Sequence, residues 1–303
     1  MSAFDLNQVA SQKGRIAVVT GANIGLGYET ALALAKKDVK VVLACRNLEK
    51  AKDAIEKIKT QVPKADLEAI QIDLSKLNSI DDFAEQYSKK YDQLDLLINN
   101  AGVMMPPYTV TDEGFELQLG ANHLGHFKLT GLLMDTIEKT SNSRIVSLSS
   151  NAHRSGKINF DDLQSEKNYS AMGAYSQSKL ACLMFAYEMQ RRLEKAGYQT
   201  MSTAAHPGVS VTNLGQYLPL WAKIIFAPLA PFITHSPENG AKPSLYAALG
   251  SDVNGGDYFG PTGFDQMKGK AGKVESRPHA QDKEVAKRLW EVSEELTKTS
   301  FLS

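Results

Sequence analysis

The chain has 303 residues, with 34 basic and 34 acidic side chains and no formal net charge. That balance excludes a general nucleic-acid or polybasic membrane role, which needs a marked basic excess. Apolar residues make up 43%, enough for a sizeable core in one large domain or two modest ones.

Residues 1–13 are polar, so neither a signal peptide nor an N-terminal membrane span is expected there. From residue 16 onward, strand-like and helix-like stretches alternate. Strands are expected at 16–20, 39–45, 67–72, 94–98, 144–148, 199–205 and 256–260. Helices are expected at 25–37, 48–60, 79–91, 113–139, 174–196, 238–249 and 282–296. The strands are apolar along their whole length, as in a sheet covered on both faces. Repeated β-α order forces right-handed crossovers. The expected fold is therefore α/β: a single doubly wound Rossmann domain, with a parallel sheet of about seven strands and helices on both faces. No linker divides it. Such a fold binds ligands beyond the C-terminal ends of its strands.

The first strand runs into Thr20-Gly21-Ala22-Asn23-Ile24-Gly25-Leu26-Gly27. A strand, a glycine turn and a helix start together make an anion site, because amide N–H groups and the helix dipole converge there. The spacing T-G-x-x-x-G-x-G differs from G-x-G-x-x-G, and no Gly-Lys-Ser/Thr follows as in a Walker loop. A turn that merely needs positive φ explains the glycines alone; between a good strand and a good helix, the nucleotide reading is favoured.

The second strand ends Ala44-Cys45-Arg46-Asn47, with no acid to hold a ribose 2′-hydroxyl. Arg46 is placed to pair with a 2′-phosphate instead. A cation at a helix start is disfavoured unless an anion arrives, so NADP(H) is favoured over NAD(H). Asp73-Leu74 suits either an adenine contact or a helix cap before Ser75. The small residues of Asn99-Asn100-Ala101-Gly102 permit a close backbone approach to a ligand, or form a plain turn.

Tyr175 and Lys179 lie four apart and share one helix face. The pair starts the helix after the fifth strand, which itself ends in Ser149-Ser150. His123 and His126 lie three apart on a helix, but no third ligand of suitable spacing accompanies them, so packing or surface placement is expected and no metal site. His206 is expected to line the site from a loop. Cys45 and Cys182 make no disulfide framework and point to a reducing, cytoplasmic setting. The stretch 218–233 is apolar but broken by Pro219, Pro228 and Pro231 and carries Lys223. It reads as a jointed cover over an apolar substrate, not a transmembrane anchor.

Four of these signals in this order resemble the short-chain dehydrogenase/reductase family: the glycine loop, N-N-A-G, a serine after the fifth strand, and Y-x-x-x-K. The likeness runs from Arg15 to about Gly260. Within the family the chain resembles retinol dehydrogenase-like and carbonyl reductase members, through Thr20-Gly-Ala-Asn-Ile-Gly, Ala44-Cys-Arg, Asn122-His-Leu-Gly-His-Phe and Asp162-Leu-Gln-Ser-Glu-Lys.

The resemblance implies roles. Tyr175 is the proton donor or acceptor, Lys179 holds the nicotinamide ribose and tunes Tyr175, and Ser150, with Ser149 as fallback, orients the substrate oxygen. Asn122 holds a water in a proton path. Gly21, Asn23, Ile24, Gly25, Leu26, Gly27, Arg46, Asp73, Leu74, Asn100, Ala101 and Gly102 contact the dinucleotide, and Pro207, Gly208, Val209 and Thr212 lie by its nicotinamide. The segment 151–172 is an insertion bordering the site, 209–240 covers the substrate, and 280–303 is a C-terminal helix. Homo-oligomer and monomer both remain open, because the insertion stands beside the two long helices through which family members often pair. The implied activity is hydride transfer between NADP(H) and an apolar aldehyde, ketone or alcohol. The alternatives are an inactive nucleotide-binding sensor or scaffold, and a C=C reductase or epimerase.

Overall fold

The computed structural model describes residues 4–209 and 234–302. One sheet of eight strands organises it, in the spatial order β3-β2-β1-β4-β5-β6-β7-β8. The strands are β1 (Ile16–Thr20), β2 (Lys40–Cys45), β3 (Leu67–Gln71), β4 (Leu96–Asn99), β5 (Arg144–Leu148), β6 (Met201–Ala205), β7 (Tyr258–Pro261) and β8 (Ala271–Lys273). Strands β1 to β7 are parallel, with Val18 opposite both Val42 and Leu97.

The expectation of a parallel sheet of about seven strands is corrected at one edge. β8 is an eighth strand and runs antiparallel to β7, with Phe259 opposite Lys273. No helix lies between them, so the chain has no crossover to make and doubles back.

The helices are α1 (Gly25–Ala35), α2 (Leu48–Gln61), α3 (Leu77–Lys90), α4 (117–138), α5 (Ala171–Ala196), α6 (Pro237–Leu249) and α7 (Lys283–Thr297). Alternate residues of β1 feed opposite faces. Ala17 and Val19 pack with Leu34, Ile58 and Leu245 of α1, α2 and α6. Val18 packs with Phe83, Phe127 and Phe185 of α3, α4 and α5. Ala17, Val18 and Val19 are each 0% exposed.

Helix α4 is composite: Leu117–Leu119, a π-helical turn Gly120–Leu124, then Gly125–Glu138. It starts four residues later than 113, because Gly114 takes φ 85° and Val110 pairs with Glu116 across a tight turn. The Glu116 carboxylate then caps Gln118 and Leu119 at 3.0 and 2.7 Å. Helix α5 is capped by Ser170 and ends at Gly197 in the left-handed region. Helix α7 lies across α4 and α5 and inserts Trp290 against Phe127 and Phe185, at centroid distances of 4.9 and 5.7 Å. Beyond α7, Phe301 sits over Gly131 of α4, where a Cβ would come within 2.6 Å of its ring. No helix among the described residues is long and apolar enough to cross a membrane.

Candidate active site

The glycine loop leaves β1 with Gly21 at φ 66° and enters α1 with Gly25 at φ 59°. These are left-handed conformations that a side chain disfavours. Gly21 N–H donates to Ala44 O at 2.8 Å, which pins the loop to β2. Gly27 lies so near the turn that a Cβ would stand 2.4 Å from Gly21 O and 2.6 Å from Asn100 Nδ2. The first turn of α1 has no side-chain cap; its N-cap position is Ile24, whose side chain is exposed. Cys45 underlies the loop, where its sulfur accepts from the Ala22 and Asn23 amides, and burial pushes the thiol up to about 11.

Thr20 joins the loop to the N-N-A-G turn. Its Oγ1 accepts from the Asn100 and Ala101 amides at 2.9 Å each, and Asn100 Nδ2 donates to Thr20 O at 2.7 Å. With both amides donating to it, the hydroxyl's own proton is free for His126 Nε2, 2.9 Å away. His126 Nδ1 in turn bonds to Asn122 O at 2.9 Å. One buried imidazole thus connects the glycine loop, the N-N-A-G turn and the π-helical turn. Burial keeps it neutral, pushed down to about 4.

Arg46 follows β2, is exposed, and its guanidinium has no hydrogen-bond or salt-bridge partner among the described residues. Asp73 Oδ1 accepts from Ser75 N and Oγ at 3.0 and 2.6 Å, an Asx turn ahead of α3 and not its cap, since the N-cap position of α3 is Lys76. The Leu74 carbonyl lies where a Cβ on Gly125 would reach 2.4 Å, so the third strand's loop rests directly on α4.

Tyr175 and Lys179 are 6% and 5% exposed on α5. Lys179 Nζ stands 6.0 Å from the Tyr175 ring centroid and donates to Leu148 O at 3.0 Å. A Cβ on Gly102 would fall 3.1 Å from Asn122 Oδ1 and 3.4 Å from Lys179 Nζ. The N-N-A-G turn, the π-helical turn and α5 therefore meet at one point. The Asn122 amide is fully engaged: Oδ1 accepts from Val103 N at 2.8 Å, and Nδ2 donates to Val103 O at 3.0 Å and Ser178 Oγ at 2.9 Å. Ser149 is buried and donates to Lys179 O at 2.8 Å. Ser150 is half-buried and accepts only from Ala152 N, at 3.2 Å, as the cap of a short 3-10 turn, Asn151–Ser155.

A second rim faces this group, combining Pro207–Val209, which the sequence suggested, with residues 264–267, which it did not. Gly208 takes φ 68° and leaves no room for a Cβ, which would come 2.3 Å from Met267 O. Val209 N donates to the same carbonyl at 2.8 Å, and His235 Nε2 bonds to Pro207 O at 2.8 Å. The next turn back, Phe264–Gln266, carries Asp265 and Gln266 at φ 46° and 56°. Its Gln266 side chain bonds to His206 Nε2 at 3.1 Å, its Gln266 carbonyl accepts from Asn151 Nδ2 at 3.1 Å, and Asp265 pairs with Arg154. His153 Nδ1 meanwhile bonds to Ser150 O at 2.7 Å. His153 and His206 are fully buried and pushed down to about 4 and about 3 by that burial. Instead of lining the site as expected, His206 lies behind it as a brace. Thr212 and most of the covering segment lie outside the described residues. Among the described residues no three His, Cys, Asp or Glu side chains converge as a metal site would need.

The short chain dehydrogenase family matches residues 15–223. Human retinol dehydrogenase 13 is 41% identical over 292 residues, covering 95% of this chain and 86% of its own length. Retinol dehydrogenase 12 of Mus musculus is 41% identical over 285 residues, covering 93% and 86%. Among solved structures, an uncharacterized protein from Mycobacterium paratuberculosis superposes with a TM-score of 0.83 at 38% identity, over 99% of both chains. A short-chain type dehydrogenase/reductase from Mycobacterium marinum shares the fold, with a TM-score of 0.67 at 21% identity over 84% of this chain and 96% of its own. Sequence and fold agree: the chain belongs to the short-chain dehydrogenase/reductase family of oxidoreductases.

Proposed function

We propose that the protein is an NADP(H)-dependent oxidoreductase that interconverts an apolar alcohol and its aldehyde or ketone, in a cytoplasmic setting. The observation that carries this is the buried Tyr175–Lys179 pair, 6.0 Å from ammonium to ring, at the same sheet edge as the glycine loop. The residues present fit a dinucleotide. The N-terminus of α1 carries neither a side-chain cap nor an acidic residue in its first turn; an anion is favoured there. Arg46 stands one strand away with a guanidinium unpaired among the described residues, suited to a 2′-phosphate.

A bound nicotinamide supplies the hydride. The chain's own residues handle the proton and the developing charge. In the reducing direction the Tyr175 hydroxyl gives its proton to the substrate oxygen as that oxygen gains negative charge; in the oxidising direction it takes the proton back. Negative charge develops on the reacting oxygen during the transfer, and a cation one helical turn away stabilises it. Lys179 is that cation, aimed by Leu148 O. Ser150 is the better placed of the two serines to orient the substrate oxygen, since the Ser149 hydroxyl is committed to Lys179 O. Asn122 works as a brace, through its amide on Val103 and Ser178. The relatives named retinol dehydrogenases support an apolar alcohol such as a retinoid as substrate.

Tyr175→Phe tests the proposal. NADPH binding should persist while turnover of retinal and simple aldehydes, followed at the nicotinamide absorbance band, falls about 10²- to 10⁴-fold. Normal turnover by the variant would reject the mechanism. A wild type inert across aldehydes, ketones and activated alkenes would favour a nucleotide sensor.

A further inference from the structure

We infer that a small cavity beneath the π-helical turn of α4 is a binding site for one water molecule, which joins Asn99, His123 and Ser147 and anchors that turn to the sheet. The cavity lies between β4, β5, α4 and α5, with room of about 10 Å³ for a water-sized sphere. That is the space of about one water and too little for any larger ligand. Asn99 Oδ1, His123 Nδ1 and Ser147 Oγ are buried without a hydrogen-bond partner, and all three residues line this cavity. Each is 2% exposed. Buried polar atoms are almost always satisfied, and convergence of three on one space identifies what satisfies them.

The proton inventory specifies the ligand. Asn99 Nδ2 donates to Thr130 Oγ1 at 3.1 Å, while the Thr130 proton goes to His126 O at 2.7 Å. The amide cannot be turned round, so Asn99 presents an acceptor to the cavity. Ser293 gives its proton to Leu289 O at 2.7 Å. The 2.8 Å bond between His123 Nε2 and Ser293 Oγ is therefore donated by the imidazole, and His123 Nδ1 is a bare lone pair. Ser147 has a proton to give. Two acceptors and one donor complement a single water, which offers two protons and accepts one. A metal ion finds no anionic ligand here, because the neighbouring Cys182 thiol donates to Asn122 O at 3.2 Å. Leu148 and Phe185 complete the walls.

The bound water gives His123 a role. His123 follows Asn122 in the turn, and its imidazole links the water on one side to Ser293 of α7 on the other. The turn is then held at two points: through His126 to the glycine loop, and through His123 and the water to β4 and β5.

A crystal structure of the wild-type protein at about 1.3 Å should show one water within about 2.6–3.2 Å of all three atoms. Ser147→Val puts a methyl group where the water sits and strands two acceptors. It should lower Tm by about 3–8 °C and speed amide exchange across residues 120–126. Ser147→Ala, which leaves the water two acceptors, should lower Tm less. A dry cavity in the wild type overturns the inference. So does a Tm unchanged or raised by Ser147→Val, since filling an apolar void stabilises. Should Ser147→Val fail to fold, water-to-amide NMR cross-peaks in the wild type decide in its place. None of these readouts uses turnover, so the site stands or falls independently of the proposed reaction.

Discussion

Thr20 hydroxyl and Gly27 hydrogen are small groups with large consequences. Gly27→Ala would drive a methyl to 2.4 Å from Gly21 O, against backbone that cannot give way. We expect about 1–3 kcal/mol of lost stability in urea unfolding and weaker dinucleotide binding by fluorescence titration. Arg46 is the residue that sets the cofactor in our proposal. Arg46→Ala should raise KM for NADPH about 10- to 100-fold, the worth of a charge-assisted pair, and leave KM for NADH nearly unchanged. Equal effects on both cofactors would remove Arg46 from the 2′-phosphate. The glycines were legible in the sequence because a positive φ and a close approach demand one residue type. Thr20 was legible only as the first letter of a motif. Its partners Asn100 and Ala101 lie 80 and 81 residues away, and no local pattern reports such a contact. His126 was expected to be packing or surface, and its burial agrees with packing; its polar bonds at both ring nitrogens could not be read from spacing.

Between elements, the turn Phe264–Gln266 brackets two segments that the sequence suggested separately, the serine turn after β5 and Pro207–Val209 after β6. Gln266→Leu would leave the buried His206 Nε2–H without its acceptor. We expect a loss of about 1–3 kcal/mol, with KM for the alcohol or aldehyde raised more than KM for the cofactor. Equal changes in both would assign this turn to the fold alone. Strands β1, β2 and β4 could be read from the sequence because both faces are buried and their apolar runs are continuous; β3, at the edge, carries Glu68 and Gln71 and is only partly buried. β8 could not: Ala271-Gly272-Lys273 has no apolar run, and its strand state depends on β7 alongside. The late start of α4 likewise reflects tertiary partners. Gln164 Oε1 accepts from Glu116 N at 2.7 Å from 48 residues away, which a helix-forming local sequence does not reveal.

Across the whole molecule, four buried imidazoles govern behaviour in acid. His123, His126, His153 and His206 are pushed down to about 3, 4, 4 and 3 by burial. An unfolded chain protonates histidine near ~6.5, so below that pH the unfolded state binds more protons than the folded state. The stability they contribute is fully present above the unfolded value and is lost as pH falls from there toward 4. Each adds a slope of about 1.4 kcal/mol per pH unit. Urea unfolding should show a steep fall between pH 6.5 and 4.5, and His153→Gln should make it shallower. A flat profile over that range would mean these imidazoles titrate normally. Composition gave no hint of this, since six histidines in 303 residues are unremarkable until five are found buried.

The aromatic contact made by Trp290 and Phe301 on Phe127 and Phe185 also bears on synthesis. The sheet and both long helices are complete by residue 273, yet their outer aromatic face is closed only by residues 283–301. During synthesis those residues emerge after everything they cover. Phe127 and Phe185 therefore stay uncovered until residues 283–301 have emerged, and the docking of α7 is a late step of folding.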